Sequence, residues 1–200
     1  MASRRAANPL HGLVLAGGKS RRMGRDKAGL SRGGQSQLAY VVSVLEPLVD
    51  RLFVSTRADQ QHERERSRFD QIVDRYEDMG PVAGILSAMD EYPGVDWLVV
   101  ACDLPNIDAS TVSYLLRQRS PDRPFSAYRS SHDGLPEPLC AVYASDSADI
   151  VRGFVAEGIH CPRKILIRSD TQLLEQPDPN SLHNVNTPED LKDSVFGTSS

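Results

Sequence analysis

Fourteen residues, LAGGKSRRMGRDKA from Leu15 to Ala28, constrain this chain more than any other stretch. They begin inside the apolar run GLVLA (Gly12 to Ala16), which is too short for a helix and reads as a buried strand. Two glycines follow, and then Lys19, Arg21, Arg22, Arg25 and Lys27 crowd into nine positions against one acid, Asp26. Gly17 and Gly18 let the backbone turn sharply and bring peptide N–H groups close to an anion, and Ser20 adds a hydroxyl donor. Arg21 offers a planar fork to phosphate oxygens and Lys27 a point charge. A surface turn with solvated cations is the alternative, and the mutual repulsion of five neighbouring charges weighs against it. The chain is therefore expected to bind a phosphate at the end of its first strand.

Two common phosphate loops are excluded by spacing. GKS at Gly18 to Ser20 would complete a P-loop only with glycine at position 13, which is Leu13. The order after Gly17 is also wrong for a dinucleotide-binding GxGxxG. The formal charge of −4 over 200 residues makes the basic cluster local, so nucleic acid is not an expected partner. Cys102, Cys140 and Cys161 are odd in number and form no CxxC pair, which suggests reduced thiols and a cytoplasmic protein. Arg4 and Arg5 before GLVLAGG do not make an export signal, because the apolar stretch is short and ends in Lys19. No apolar run approaches the ~20 residues of a membrane span, so no membrane contact is expected.

Along the chain, apolar runs alternate with helical patterns, as in an α/β fold with a mostly parallel sheet. Strands are predicted at 12–16, 51–55, 71–74, 97–102, 125–128 and 139–143, and helices at 37–49, 80–92, 110–119 and 146–157. Thr187 and Pro188 carry the signature of a further helix start. The charge run from Arg57 to Asp70 reads as a solvated helix or loop. Residues 10–195 are expected to form one domain between flexible tails at 1–9 and 196–200. Ligands of such sheets gather at the carboxyl ends of strands, so the glycine loop should share a crevice with Asp103. That carboxylate directly follows WLVVAC (Trp97 to Cys102), where a helix or turn cap is its plain structural reading.

The first loop, of the form LAGGxSxRMGxDKA, resembles that of the molybdenum cofactor guanylyltransferases and related small nucleotidyltransferases. The resemblance continues in the family's order at DMGPVAGILSAM (Asp78 to Met89), CDLP (Cys102 to Pro105), EPLCAVY (Glu137 to Tyr143) and NVNTPEDL (Asn184 to Leu191). It implies a three-layer α/β/α, Rossmann-like nucleotidyltransferase fold. It also implies transfer of GMP from GTP to molybdopterin phosphate, with Mg²⁺ as cofactor and release of pyrophosphate. Molybdoenzymes or molybdenum-insertion proteins would be transient partners. Competing expectations are a cytidylyltransferase or other small-molecule phosphate nucleotidyltransferase of the same fold, or a non-catalytic nucleotide-binding partner in molybdoenzyme assembly.

Carried onto this sequence, the resemblance makes Lys27, Arg21 and Asp103 catalytic. It assigns nucleotide contacts to Leu15, Ala16, Gly17, Gly18, Lys27, Ser55, Asp74, Gly80, Pro81 and Asp103, and metal contacts to Asp103 and Asn186. Ser55 stands where some relatives carry asparagine near the base, a departure from their pattern. Asn186 touches the metal, caps the last helix or braces a loop, and Asp74 either faces the nucleoside or is a solvated turn residue. Gly80, Pro81 and Gly84 form a loop beside the base or a purely structural turn. Arg163 and Lys164 either meet the pterin phosphate or form a surface pair.

Overall fold

A short strand that is apolar at successive positions needs cover on both faces, and the computed structural model supplies it over the residues it describes, 8–17, 31–32 and 35–183. In β1 (Leu10–Leu15) Leu13 packs to one side and Val14 to the other. Phe53 and Val54 alternate likewise in β4 (Arg51–Thr56), as do Val99 and Val100 in β6 (Asp96–Ala101). Helices α1 (Gln37–Leu45) and α3 (Ala109–Gln118) cover one face through Leu38, Val41, Leu45, Val112 and Leu115. The other face carries α2 (Pro81–Glu91), α4 (Ser147–Ala156) and α5 (Pro162–Ile167) through Val82, Ile85, Leu86, Val151, Ile165 and Leu166. Each such side chain, fully buried, contributes about 1.5–3 kcal/mol. The result is a three-layer α/β/α fold.

The sheet has the order β5-β4-β1-β6-β8-β7-β9, with β5 at Gln71–Val73, β7 at Phe125–Arg129, β8 at Pro136–Tyr143 and β9 at Thr171–Leu174. β1 pairs in parallel with both β4 and β6, and β4 with β5. β8 runs antiparallel to its neighbours β6 and β7, and the sheet closes with β9 parallel to β7. A separate hairpin joins β2 (Ser31–Arg32) to β3 (Gln35–Ser36).

The predicted elements differ from these in ways with physical causes. The helix expected over 37–49 stops at Leu45 and tightens into a turn at Glu46–Leu48, because Pro47 has no N–H to continue it. The strand expected at 139–143 begins at Pro136, two prolines earlier. Proline is unusual inside a sheet, but here β6 pairs only with Cys140 through Tyr143. The Pro136 end has β7 on one side and a bulge at Ala127/Tyr128. α5 and β9 were not expected. The helix start expected at Thr187 lies outside the described residues.

At the amino end of the sheet His11, 7% exposed, sits among Phe53, Tyr92 and Trp97, with ring centroids 5.4–5.8 Å away. Its Nδ1 has no hydrogen-bond partner among the described residues. Burial lowers its pKa below 6.5, nearby Arg51 adds to this, and Asp50 opposes it. The folded state thus resists a proton that the unfolded chain accepts. This contribution to stability is complete above the unfolded value of 6.5 and is lost as pH falls below it toward the folded value. The expected outcome is a thermal midpoint that declines on acidification through this window, with a shallower decline in His11→Phe; parallel melting curves for the two proteins across pH 5–7.5 would refute it.

Candidate active site

After β1 the chain passes to β4 on one side, whereas the strands that follow β6 lie on the other. Such a reversal opens a crevice at the carboxyl ends of the strands. A cleft of about 850 Å³ lies there, within the range of small-molecule sites. Its walls include Leu15 at the end of β1 with Ala16 and Gly17 after it, Ser55 from β4 with Arg57 after it, Asp74 after β5, the Tyr76–Gly80 segment, the start of α2 and Asp103 after β6. Of the residues expected to bind nucleotide, Leu15, Ala16, Gly17, Ser55, Asp74, Gly80, Pro81 and Asp103 are thereby brought together on one surface. Gly18, Arg21, Lys27 and Asn186 lie outside the described residues.

The loop carrying Asp103 is tied down from two sides. The Cys102 N–H donates to the Leu15 carbonyl at 3.2 Å, extending the β1–β6 pairing by one step. From α1, the buried Gln37 side chain donates to the Leu104 carbonyl at 3.1 Å, and the Tyr40 hydroxyl donates to that of Ile107 at 2.8 Å. Asp103 is therefore held beside Ala16 and Gly17 rather than swinging on an open turn. The nucleotidyltransferases that the first loop resembles generally use a divalent metal ion. Among the described residues no three His, Cys, Asp or Glu side chains converge as a ready-made cage. A lone carboxylate beside a polyphosphate nevertheless suits a hard cation that draws its remaining ligands from phosphate and water.

Opposite Asp103, the Ser55 hydroxyl donates to Asp74 at 2.7 Å, so its proton is committed to that carboxylate. Burial raises the Asp74 pKa, while the Ser55 hydrogen bond and the Arg57 charge pull it back. Asp74 is thus no solvated turn residue. Gly80 has φ +57° at the start of α2, a conformation that favours glycine. Gly84, one turn on, lies so close to β4 that a Cβ there would fall 2.2 Å from Ser55 Oγ and 3.0 Å from Leu15 Cδ2. The carbonyls of Leu15 and Gly80 already accept the N–H groups of Cys102 and Ala83.

The charge run from Arg57 to Asp70 is not merely solvated, contrary to expectation. Arg66 is 1% exposed, and its Nε and Nη2 both donate to the Ala16 carbonyl, at 3.1 and 2.6 Å. Its Nη1 pairs with Glu63. Arg57 donates to the Gly17 carbonyl at 3.0 Å and is clamped by Asp59. A guanidinium can be buried when its donors are met, and here the partner is a backbone 50 residues away. The charge pattern of the sequence contains no trace of that partner. Arg163 and Lys164 also separate. Arg163 bonds Asp133 at 2.8 Å and Glu137 at 3.1 Å in a neighbouring hollow of about 420 Å³, whereas Lys164 is exposed and does not line it.

A mostly parallel sheet between two helix layers, with Gly17 after one central strand and Asp103 after the next sharing a cleft at its switch point, defines an α/β nucleotide-binding enzyme. The pattern of the MobA-like NTP transferase domain matches residues 12–172, and the chain belongs to that family of nucleotidyltransferases. It is 40% identical over 182 residues to a molybdenum cofactor biosynthesis bifunctional protein of Synechocystis, covering 91% of this chain and about half, 52%, of that relative's length. It is 34% identical over 193 residues to the molybdenum cofactor guanylyltransferase of Pseudomonas paraeruginosa, covering 92% and 93% of the two chains. The crystal structure of molybdopterin-guanine dinucleotide biosynthesis protein A from Archaeoglobus fulgidus superposes with a TM-score of 0.76 at 25% identity, over 92% of this chain and 95% of that one. No helix among the described residues is long and apolar enough to cross a membrane.

The contact between Gly84 and Ser55 leads to a direct test. Gly84→Ala should destabilise the fold by about 1–3 kcal/mol through overpacking, read as a lower thermal midpoint. Adding Ser55→Ala should recover part of the loss; a Gly84→Ala protein as stable as the parent would show that α2 and β4 are not in tight contact.

Proposed function

We propose that this protein transfers GMP from GTP to the phosphate of molybdopterin, forming the guanine dinucleotide cofactor and releasing pyrophosphate. The observation that carries this reading is the shared cleft of Ala16, Gly17 and Asp103 in a chain of this family, with a relative named molybdenum cofactor guanylyltransferase at 34% identity. The acceptor phosphate is already nucleophilic near neutral pH. The protein's task is therefore in-line positioning and charge neutralisation, with no histidine or serine needed as base or nucleophile.

In this reading the backbone N–H groups of the Ala16–Gly18 turn, with Arg21, hold the β- and γ-phosphates that leave as pyrophosphate. Lys27 stabilises negative charge building on the α-phosphate. Asp103, with Asn186, would hold Mg²⁺, which supplies Lewis-acid charge and a template for phosphate oxygens when bound. The half-buried Asp74, fixed by Ser55, accepts hydrogen bonds from the nucleoside, and the Gly80–Pro81 turn walls the base side. The protein acts in the cytoplasm and hands its product to molybdoenzymes or molybdenum-insertion proteins by transient contact.

Two measurements check this. With GTP, ATP and CTP competing for transfer to molybdopterin at limiting enzyme, GMP incorporation should lead by roughly 10²-fold, the discrimination expected when two buried acceptors lose their donors. CMP incorporated ahead of GMP would move the protein to the cytidylyltransferases. Asp103→Asn, which keeps shape and removes charge, should lower kcat by about 10²-fold or more while leaving the melting temperature nearly unchanged. A variant with unaltered magnesium dependence would remove Asp103 from the metal site.

A further inference from the structure

We infer that Arg66 is a positioning residue for the transfer, setting the peptide between Ala16 and Gly17 so that the Gly17 N–H is presented to the phosphates. The inference rests on the nucleotide reading of the cleft and adds to it a residue from the most highly charged stretch of the chain. Both Nε and Nη2 of Arg66 donate to the one carbonyl of Ala16. Two donors from a rigid plane fix the direction of that carbonyl, which a single flexible donor would not do.

In a planar trans peptide the N–H points opposite to the C=O, and the described residues contain no cis bond. With the Ala16 carbonyl turned onto Arg66, the Gly17 N–H turns the other way. Ala16 and Gly17 line the cleft, whereas Arg66 does not. Because Arg66 grips the carbonyl from outside the cleft lining, the inferred direction of the N–H is toward the ligand side. Arg57, which does line the cleft, holds the next carbonyl, its Nη1 on Gly17 O and its Nε and Nη2 held by Asp59. Burying a guanidinium is costly, and a loop in need of anchorage alone could use a neutral donor. What the guanidinium adds is a fixed peptide plane where substrate charge must be met by backbone donors.

The test separates positioning from general support. Displacement of a fluorescent GTP analogue by magnesium pyrophosphate and by guanosine is measured for wild type, Arg66→Lys, Arg66→Met and, as a control in the same stretch, the exposed Arg68→Met. Arg66→Lys should weaken pyrophosphate about tenfold, the value of one well-placed hydrogen bond, and lower kcat/KM for transfer at least as much. Guanosine affinity should stay within about twofold, because the base side does not depend on the Gly17 N–H. Arg66→Met should lose more, and Arg68→Met nothing. Equal weakening of pyrophosphate and guanosine, no weakening of either, or failure of both Arg66 variants to fold would overturn the inference and make Arg66 a structural residue only. A wild-type protein that binds neither GTP nor pyrophosphate would instead overturn the nucleotide reading, and this inference with it.

Discussion

The parallel pairing of β1 with both β4 and β6 is the constraint on which the site depends. In that register Leu15 stands opposite Ser55 on one side and Ala101 on the other, so three strands end at the same level. The ladder runs one step past the strands, the Ala16 N–H donating to the Ser55 carbonyl and the Cys102 N–H to that of Leu15, each at 3.2 Å. Ala16–Gly17, the Ser55–Arg57 segment and Asp103 consequently leave the sheet together. A slip of one residue in either pairing would reverse the inward and outward faces of a strand buried on both sides, and the core alternation of Leu13 with Val14 forbids it.

Around that fixed edge the cleft is built from groups that immobilise one another. Ser55 orients Asp74, Gly84 lets α2 approach close enough to press on Ser55, and the two arginines after β4 hold successive carbonyls of the first loop. A site that binds a flexible polyphosphate gains from such rigidity, because donors already in place do not have to be ordered at the moment of binding.

Much of this was legible in the sequence, for reasons that also explain the rest. The short apolar runs of β1, β4 and β6 and the periodic faces of α1 to α4 follow from local burial, which composition along the chain records directly. So do the glycine loop and a carboxylate immediately after the most apolar strand. Arg66 was not legible, since its partner is a backbone carbonyl distant in sequence and its neighbours are as charged as any solvated helix. The start of β8 was hidden by Pro136 and Pro138, which only the one-sided pairing of that end excuses. α5 is barely more than one turn and β9 joins an edge, so neither carries enough repeats for a pattern.

Electrostatics divide the labour within the cleft. Its described walls carry five carboxylates, Asp59, Asp74, Glu77, Asp78 and Asp103, against the single guanidinium of Arg57, which Asp59 already clamps. A nucleoside triphosphate entering those walls alone would be repelled, so its charge must be met from elsewhere. The sequence carries five cations between Lys19 and Lys27, shortly after Gly17 of the cleft. A divalent cation on Asp103 would convert one of the repelling carboxylates into part of the attraction. The acidic side then becomes useful rather than costly, since the ribose hydroxyls and the base N–H groups are donors that need acceptors. On the proposed reading the phosphate end of the ligand would meet the metal at Asp103, and the nucleoside end Asp74 and the Gly80 turn.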